Sequence, residues 1–212
     1  MTCTKGLLIL GFGGHARSVA DVALSAGAEQ LLFVDEQARV GEEFLGFSVL
    51  REFSGPLPKG WACLSATGNN QKRKRQLEQA VSAGWPLTSV LSPRATIGVG
   101  ASISPGCFVA HHAHIGPMAK VGVGCIINTG AIIDHECVVG DYAHISINAS
   151  LAGRCSIGNF VFLGAGSAVI DGIAIADGVT IGAGGVVIKN IDQPGTYVGI
   201  PVKMISKTGA SI

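Results

Sequence analysis

The chain has 212 residues, which is enough for one domain or two modest ones with a buried core. Its 15 Lys and Arg residues nearly balance its 14 Asp and Glu residues, so net charge gives no argument for a nucleic-acid or membrane-surface partner. Although 48% of the residues are hydrophobic, no stretch approaches the roughly 18 uninterrupted apolar residues of a membrane span. The N-terminus runs from one Lys through a short apolar segment into glycines. This favours a first strand over a signal peptide, and we expect a cytoplasmic protein.

The first elements predict a βαβ unit. The apolar run "GLLIL" (6–10) is typical of a buried strand, the glycine turn "GFGGHA" (11–16) follows it, and "RSVADVALSAG" has the pattern of an amphipathic helix. A second strand, "QLLFVD" (30–35), ends in an acid 24 residues after Gly11. A G-x-G-x-x-A turn lets backbone N–H groups approach a phosphate at a helix N-terminus. The pattern alone also fits an NAD(P)-binding domain, but the chain has no second nucleotide-binding half.

Three further elements precede residue 92. A strand in "ACLSATG" (62–68), a helix from about Asn70 to Ser82 and a short strand "LTSVL" (87–91) are predicted. The run "KRKR" (72–75) suggests a phosphate-binding patch. Four consecutive helical residues point in four directions, however, so we interpret the run mainly as a solvated face.

A six-residue period begins at Ile97 and continues to Val187. Every sixth residue is aliphatic for 16 consecutive steps, and mostly a small residue stands four positions after each. This period fits neither a helix nor a hairpin, but it matches the hexapeptide repeat of a parallel β-helix. Three hexads form one coil, so the repeats predict about five coils. We assign residues 1–92 to the first domain and residues 93–212 to the β-helix and its tail.

The register of the hexads assigns the cysteines and the titratable side chains. None of the six cysteines forms a C-x-x-C pair, so zinc and redox motifs lack support. Four of them fall at the small inward position and are predicted core residues: Cys107, Cys125, Cys137 and Cys155. His135, Glu136 and His144 occupy hexad positions that face outward.

Three more histidines crowd into a single hexad. His111, His112 and His114 have no acidic or thiol partner nearby in the sequence, so we expect surface or subunit contacts there and no metal site.

Four stretches, in this order, resemble the bacterial PglD/NeuD-type sugar acetyltransferases, which are left-handed β-helix acyltransferases. They are "GFGGHARSVADV" (11–22), "FVDE" (33–36), "ATGNNQKR" (66–73) and "NTGAIIDHECVVGDYAHIS" (128–146). The ending "PGTYVGIPVK" (194–203) resembles the closing segment of that superfamily. The resemblance covers nearly the entire chain. It implies an α/β Rossmann-like domain that binds a nucleotide-linked sugar, an all-β left-handed parallel β-helix, and a homotrimer with each active site between two prisms.

The resemblance also implies roles for individual residues. Acetyl transfer from a thioester to an amine needs a base, and histidine suits this role near neutral pH. His135 would be that base, and Glu136 would orient its ring and stabilise the imidazolium. The sugar substrate would be bound by Gly13, Gly14, His15, Asp35, Glu36 and Gly68. Acetyl-CoA would be bound by His144, Ala165, Ala183 and Asn128. Gly13 stands where the family often has Ser, so a hydroxyl contact is lost there.

The expected reaction is acetyl transfer from acetyl-CoA to the 4-amino group of a nucleotide-linked 4-amino-4,6-dideoxy sugar, with UDP as the expected nucleotide. Such a product would serve bacterial glycan or glycoprotein biosynthesis. O-acetylation of sialic acid or a related sugar stays open, because the same scaffold and base suit a hydroxyl acceptor. A non-catalytic nucleotide-sugar sensor and a dehydrogenase are the remaining alternatives, and the intact His135–Glu136 pair favours an enzyme.

Overall fold

The structure, a computed structural model, describes residues 4–207. An α/β domain opens the chain. Its elements are β1 (Gly6–Leu10), α1 (Gly14–Ser25), β2 (Gln30–Val34), β3 (Glu43–Phe44), β4 (Phe47–Leu50), β5 (Trp61–Ser65) and α2 (Asn70–Ser82). They form a five-stranded sheet in the order β3-β4-β2-β1-β5, parallel except for the β3–β4 pair. The predicted βαβ unit and the predicted helix over 70–82 are present, and the β3–β4 hairpin was not predicted.

The central strand β1 is buried on both faces. Leu7 and Ile9 pack in one apolar cluster with α1, whereas Leu8 and Leu10 pack in a second cluster with Ala80 of α2. Double-sided burial explains why this strand is a continuous apolar run rather than an alternating one.

The rest of the chain winds into a parallel β-helix of short strands that ends in an antiparallel pair of five-residue strands. In chain order they are β6 (Val90–Leu91), β7 (Thr96–Ile97), β8 (Ser102–Ile103), β9 (Phe108–Val109), β10 (His114–Ile115), β11 (Lys120–Val121), β12 (Ile126–Ile127), β13 (Ile132–Ile133), β14 (Val138–Val139), β15 (His144–Ile145), β16 (Ser150–Leu151), β17 (Ser156–Ile157), β18 (Phe162–Leu163), β19 (Ala168–Val169), β20 (Ala174–Ile175), β21 (Val179–Ile181), β22 (Val186–Val187), β23 (Gly195–Gly199) and β24 (Val202–Ser206). The predicted fold class is confirmed.

Strands that stack on one another form three sheets, the faces of a triangular prism. The docking face contains β6, β9, β12, β15, β18, β21, β23 and β24. The second face contains β7, β10, β13, β16, β19 and β22, and the third face contains β8, β11, β14, β17 and β20. We call the turn that follows each face the first, second and third corner, respectively.

The aliphatic residue of each hexad fills the prism. Ile127, Ile133 and Ile145 are 0% exposed, as are Cys125 and Cys137 at the small inward positions. The first hexad differs, because Ile97 is 39% exposed at the open end of the stack. The described cysteines are free thiols in the core, whereas Cys3 lies outside the described residues.

The α/β domain covers the outer side of the docking face. Phe108 and Ile126 of that face, each 1% exposed, pack in the same apolar cluster as Val19 and Ala23 of α1. The segment before the repeats joins the two parts, because Leu87 bridges Cys63 of β5 while Val90–Leu91 pairs with Phe108–Val109 of the prism. The end of "LTSVL" thus belongs to the prism sheet.

Within residues 4–207, no helix combines the length and apolar character needed to cross a bilayer. The same described residues contain no cluster of three or more His, Cys, Asp or Glu side chains suited to a metal ion.

Candidate active site

The second corner brings His135 and Glu136 together. His135 Nδ1 lies 3.1 Å from Glu136 Oε2, although adjacent side chains in a strand point to opposite faces. The corner resolves this conflict because Glu136 has a φ of 59°, in the left-handed region. A carboxylate can only accept, so Nδ1 carries the proton and Nε2 is left as the free acceptor. This is the arrangement of a general base with an orienting carboxylate.

The Nε2 edge of the ring lies over the next coil. A Cβ built on Gly153 would collide with Nε2 and Cε1 of His135, so glycine is what makes room for the imidazole. Arg154 follows, and its guanidinium is paired with Asp171 at 2.6 Å. Among the described residues, Arg154 forms its ion pair with Asp171 and none with Glu136, whose carboxylate pairs with the imidazole.

A second group of predicted residues lies at the carboxyl ends of β1 and β5, where the order of the sheet reverses direction. In open α/β sheets, ligands bind at such a switch point. The turn after β1 and the loop after β5 touch there: Gly11, at a φ of 103°, has its would-be Cβ position 3.0 Å from Thr67 Oγ1. Apart from chain neighbours and the backbone of α1, no atom of residues 4–207 lies within 4 Å of the would-be Cβ positions of Gly13, Gly14 and Gly68, so their backbone is open to a ligand.

Helix α1 begins at this turn without a side-chain cap. Gly13 is its N-cap residue, and a glycine has no side chain that could accept from the free N–H groups. Uncapped N–H groups at a helix N-terminus attract anions such as phosphate.

Asp35 shapes the same turn from the end of β2. Its Oδ2 accepts from the Phe12 N–H at 2.8 Å and its Oδ1 from the Gln37 N–H at 3.0 Å. Both carboxylate oxygens therefore hold backbone, and Asp35 fixes the glycine turn. Glu36, the next residue, is exposed. Both acids line a cavity of about 910 Å³ between the sheet edge and α2, bordered also by Arg51, Lys72 and Trp85. Its volume falls within the roughly 300–1,000 Å³ typical of small-molecule sites.

His144 is buried, whereas the hexad register predicted an exposed side chain. It points away from the prism axis as expected, but the α/β domain covers it and it is only 8% exposed. The His15 ring lies 6.3 Å from its centroid, and the Phe162 ring packs edge-on at 5.0 Å. Burial first, and then the positive charge of Arg73, lower the pKa of His144 to about 3. For the same two reasons the pKa of His15 falls to about 4.

His15 and His144 are held by few polar contacts. His144 Nδ1 lies 3.4 Å from the Gly68 carbonyl, and its Nε2 lies 3.4 Å from Asn128 Nδ2. His15 packs edge-on against Phe108 at 5.0 Å, and its buried Nε2 finds no hydrogen-bond partner among residues 4–207.

The first corner carries the remaining predicted residues. Ala165 and Ala183 occupy equivalent positions in successive coils, and both are exposed. Gly166 and Gly184 follow them, and no atom lies within 4 Å of their would-be Cβ positions. The corner thus presents a smooth strip of small residues, which fits the close approach of a narrow, extended chain such as pantetheine.

Arg73 is the exception to the interpretation of "KRKR" as mainly a solvated face, because the other three residues of the run are exposed or partly exposed. Its side chain is 1% exposed and sits between α2 and the prism. The helical period held a signal for this, since Arg73, Leu77 and Ala80 share one face of α2 and all three are buried. The positions of Arg73 and Gly153 were not expected from the sequence, although Gly153 stands 18 residues after His135 and hence one coil above it.

Of the crowded histidines, His111 has a specific role. Its Nδ1 lies 2.6 Å from Ser92 Oγ and its Nε2 lies 3.1 Å from Asp21 Oδ2 of α1, so it joins the two parts of the chain. His114 Nδ1 lies 2.7 Å from Thr96 Oγ1, and His112 is exposed.

The predicted residues therefore form two groups within one chain. His135 and Glu136 lie at the second corner, whereas the candidate sugar and acetyl-CoA residues surround the docking face and the first corner. The whole second face separates the two groups, so a single chain does not bring them together.

Comparisons with known proteins agree with this architecture. Residues 6–80 match the PglD N-terminal domain family. The acetyltransferase domain of PglB from Neisseria gonorrhoeae FA1090, also solved in complex with acetyl coenzyme A, is 30% identical with a TM-score of 0.88, over 95% of this chain and 100% of that chain. PerB from Caulobacter crescentus, solved in complex with CoA and GDP-perosamine, is 29% identical with a TM-score of 0.83, over 95% of this chain and 97% of that chain.

A more distant match, WeeI from Acinetobacter baumannii AYE, shares the fold with a TM-score of 0.78 at 20% identity, over 94% of this chain and 99% of that chain. The domain match at the N-terminus and the full-length match to the PglB domain identify the family and its acyl donor. The chain belongs to the PglD-type sugar acetyltransferases, acetyl-CoA-dependent enzymes of the left-handed β-helix, hexapeptide-repeat superfamily.

Proposed function

We propose that this enzyme transfers the acetyl group of acetyl-CoA to the 4-amino group of a nucleotide-linked 4-amino-4,6-dideoxy sugar, with UDP as the nucleotide, in bacterial glycan or glycoprotein biosynthesis. The single observation that carries the proposal is the His135–Glu136 pair, because it leaves a free imidazole nitrogen on a rigid corner. A nucleotide-linked acceptor is supported by the uncapped N-terminus of helix α1 and by the 910 Å³ cavity, which Gly11 of the preceding turn lines. The relative PerB was solved with a GDP-linked sugar.

The chemistry assigns one proton to His135. The amine nitrogen attacks the carbonyl carbon of the thioester, the carbon–sulfur bond breaks, and the thiolate departs with the electron pair. His135 Nε2 takes the proton that the nitrogen loses, and Glu136 stabilises the resulting imidazolium. The proton can then pass to the thiolate, which restores the base.

The buried histidines have a different part in the proposal. His15 would face the sugar nucleotide and His144 the acetyl-CoA thioester. Since the pKa values of His15 and His144 are lowered to about 4 and about 3, both rings are neutral at physiological pH and act as hydrogen-bonding groups. Ala165 and Ala183 would leave space for the pantetheine arm, with Asn128 at the start of the same corner.

The enzyme is proposed to act as a homotrimer. Because one chain separates His135 from the candidate binding residues by a full prism face, the site is complete only if a second copy brings its second corner to the first corner of its neighbour. Exposed apolar residues suited to such contact lie on the second face, at Ile132, and at the second corner, at Ile170.

A thiol-release assay with acetyl-CoA tests this function. The acceptors are UDP-, dTDP- and GDP-linked 4-amino sugars, and each is compared with its 4-hydroxy analogue and with the His135→Ala variant. We expect release with a UDP-linked amino sugar and none with its hydroxy analogue. Release with hydroxy acceptors alone would replace the amine by a hydroxyl and favour O-acetylation. If no acceptor releases thiol, the proposed substrate class is wrong.

A further inference from the structure

Arg73 is a fully buried guanidinium that forms no ion pair among the described residues. All its acceptors are neutral oxygens. Nε donates to the Gly124 carbonyl at 2.6 Å, Nη1 to the Thr67 and Gly68 carbonyls at 3.0 and 3.1 Å, and Nη2 to Tyr142 O and Asn70 Oδ1, each at 2.7 Å. Burying a charge is costly unless every donor is satisfied, so these contacts are what allow the charge to be buried.

Arg73 and Asn70 bind backbone carbonyls at the same position in three successive coils of the prism. Each coil has one residue with a left-handed backbone conformation at the third corner. In three successive coils this residue is Gly124 (φ 64°), Tyr142 (φ 57°) and Phe160 (φ 58°). Arg73 binds the carbonyls of the first two, and Asn70 Nδ2 donates to the Phe160 carbonyl at 2.9 Å. Three successive coils therefore fix the position of the α2 N-terminus along the prism.

The same guanidinium also binds the loop between β5 and α2, residues 66–69. Its Nη1 holds the carbonyls of Thr67 and Gly68, and the Gly68 carbonyl also faces His144 Nδ1 at 3.4 Å. A carbonyl can only accept, so it selects the tautomer with the proton on Nδ1. The Asn128 amide group, 3.4 Å from Nε2, donates to the other nitrogen and selects the same tautomer.

We propose that Arg73 is a positioning residue for acetyl transfer: it sets the 66–69 loop on the prism and, through the Gly68 carbonyl, fixes the His144 ring as the Nδ1–H tautomer. The inference rests on the proposed function, in which Gly68 faces the sugar nucleotide and His144 the acetyl-CoA thioester. It adds a link between the two binding regions, because one side chain from the α/β domain determines the geometry of both.

The neighbours of the His144 ring agree with this link. The titratable groups around it are His15 from α1 and Arg73 from α2, and both disfavour an added positive charge on the ring. A neutral ring with one fixed tautomer offers the substrates a constant hydrogen-bonding pattern. Without the Gly68 carbonyl, only the contact with Asn128 would favour this tautomer, so the other tautomer would become more populated.

Three variants distinguish a positioning role of Arg73 from a role in fold stability alone. Arg73→Lys keeps the positive charge. A lysine ammonium, however, lacks the planar, branched guanidinium that donates to the loop carbonyls and to carbonyls of two coils at the same time. Arg73→Met keeps the length of the side chain without charge. Arg75→Met is the matched control, because Arg75 lies on the same helix and is exposed. Each variant is compared with the wild type by thermal unfolding, by KM for each substrate, and by 15N shifts of the histidine rings.

We expect the wild-type His144 ring to be Nδ1-protonated and neutral from about pH 5 to 8. Arg73→Lys should raise KM for the amino-sugar nucleotide by roughly ten-fold or more, the effect of losing a hydrogen bond to a charged group, and it should move the two 15N shifts of His144 toward each other. Arg75→Met should change neither. A lower melting temperature in Arg73→Lys with unchanged KM and 15N shifts would mean that Arg73 is only structural, and the proposal would be wrong.

Two outcomes keep this test distinct from that of the proposed function. If none of the acceptors tested leads to thiol release by the wild type, the proposed function is wrong. The tautomer of His144 can still be measured in the wild type and in Arg73→Lys. A wild-type His144 protonated on Nε2, or charged at pH 6, would overturn the inference even if both Arg73 variants failed to fold.

Discussion

The imidazole of His135 lies over the backbone of Gly153, its counterpart one coil further along the prism, so closely that no Cβ fits between them. The ring is therefore held from two sides. Glu136 holds Nδ1 at 3.1 Å, and the glycine defines the space for the opposite edge, where the free Nε2 lies. A base that acts through Nε2 depends on both contacts.

Gly153→Ala should lower kcat because the added methyl group must displace the His135 ring. A misplacement of about 1 Å can cost roughly 100-fold in rate, so we expect a loss of that order with a melting temperature close to that of the wild type. Steady-state kinetics and thermal unfolding measure the two effects.

Gly172→Ala is the matched control for that variant. Gly172 lies at the same corner in the next coil, and no atom is within 4 Å of its would-be Cβ position. Its φ of 72° makes alanine strained, so this control should lose stability and keep kcat. Equal kcat values for wild type and Gly153→Ala would contradict the account of the ring position.

His135→Ala should lower kcat by about 10²–10⁴-fold, the usual contribution of a general base. The side chain is 40% exposed and forms no part of the prism core, so the fold should be retained. The rate is measured by thiol release and the fold by circular dichroism. Arg75→Met, which changes an exposed residue of α2, is the control and should leave kcat unchanged. Near-normal turnover by His135→Ala would end the assignment of this residue as the base.

The prism was predictable because its determinants are local, whereas the pairing of His135 with Glu136 was expected from the family resemblance. A six-residue period fixes which side chains point inward, and the left-handed residue of each corner explains why His135 and Glu136 can meet. The helical period of α2 indicated the burial of Arg73, whereas burial of His144 was not predictable in the same way. It depends on how the α/β domain docks on one of three faces, which is a long-range contact with no periodic signature.

Acid should destabilise the fold through the buried histidines. Burial, and then the charge of Arg73, lower the pKa of His144 from 6.5 to about 3. The unfolded chain therefore binds more protons than the folded one between these values. The contribution of His144 to the free energy of unfolding is fully present above about pH 6.5. It is lost as the pH falls toward 3, by at most about 1.4 kcal/mol per pH unit. His15, whose pKa is lowered to about 4, acts in the same direction. Urea unfolding between pH 8 and pH 4.5 measures the slope.

His144→Gln isolates one of these contributions. Glutamine does not titrate, so the free energy of unfolding should fall less steeply with acid than in the wild type, by up to about 1.4 kcal/mol per pH unit. At pH 8, where the buried imidazole is neutral, the two proteins should differ only by a constant offset. Identical slopes would show that His144 is protonated as readily in the folded chain as in the unfolded one.

The separation of His135 from the candidate binding residues also predicts that each active site is shared between two chains. If each site takes its base from one chain and its sugar-binding turn from another, then two differently damaged chains should repair each other. Sedimentation equilibrium should first give the mass of a trimer, and a monomer would contradict both the assembly and the shared site.

Complementation between His135→Ala and Gly13→Asp tests the shared site. Asp at position 13 is a good helix N-cap, and no atom lies within 4 Å of its Cβ position, so the fold should tolerate it while its charge repels the phosphates. Each variant alone should be nearly inactive. In randomly mixed, co-refolded trimers about one quarter of the sites would combine an intact base with an intact turn, so about a quarter of wild-type activity should return. Mixed trimers as inactive as the parents would place base and substrate on the same chain, because no combination of the two variants then restores a site.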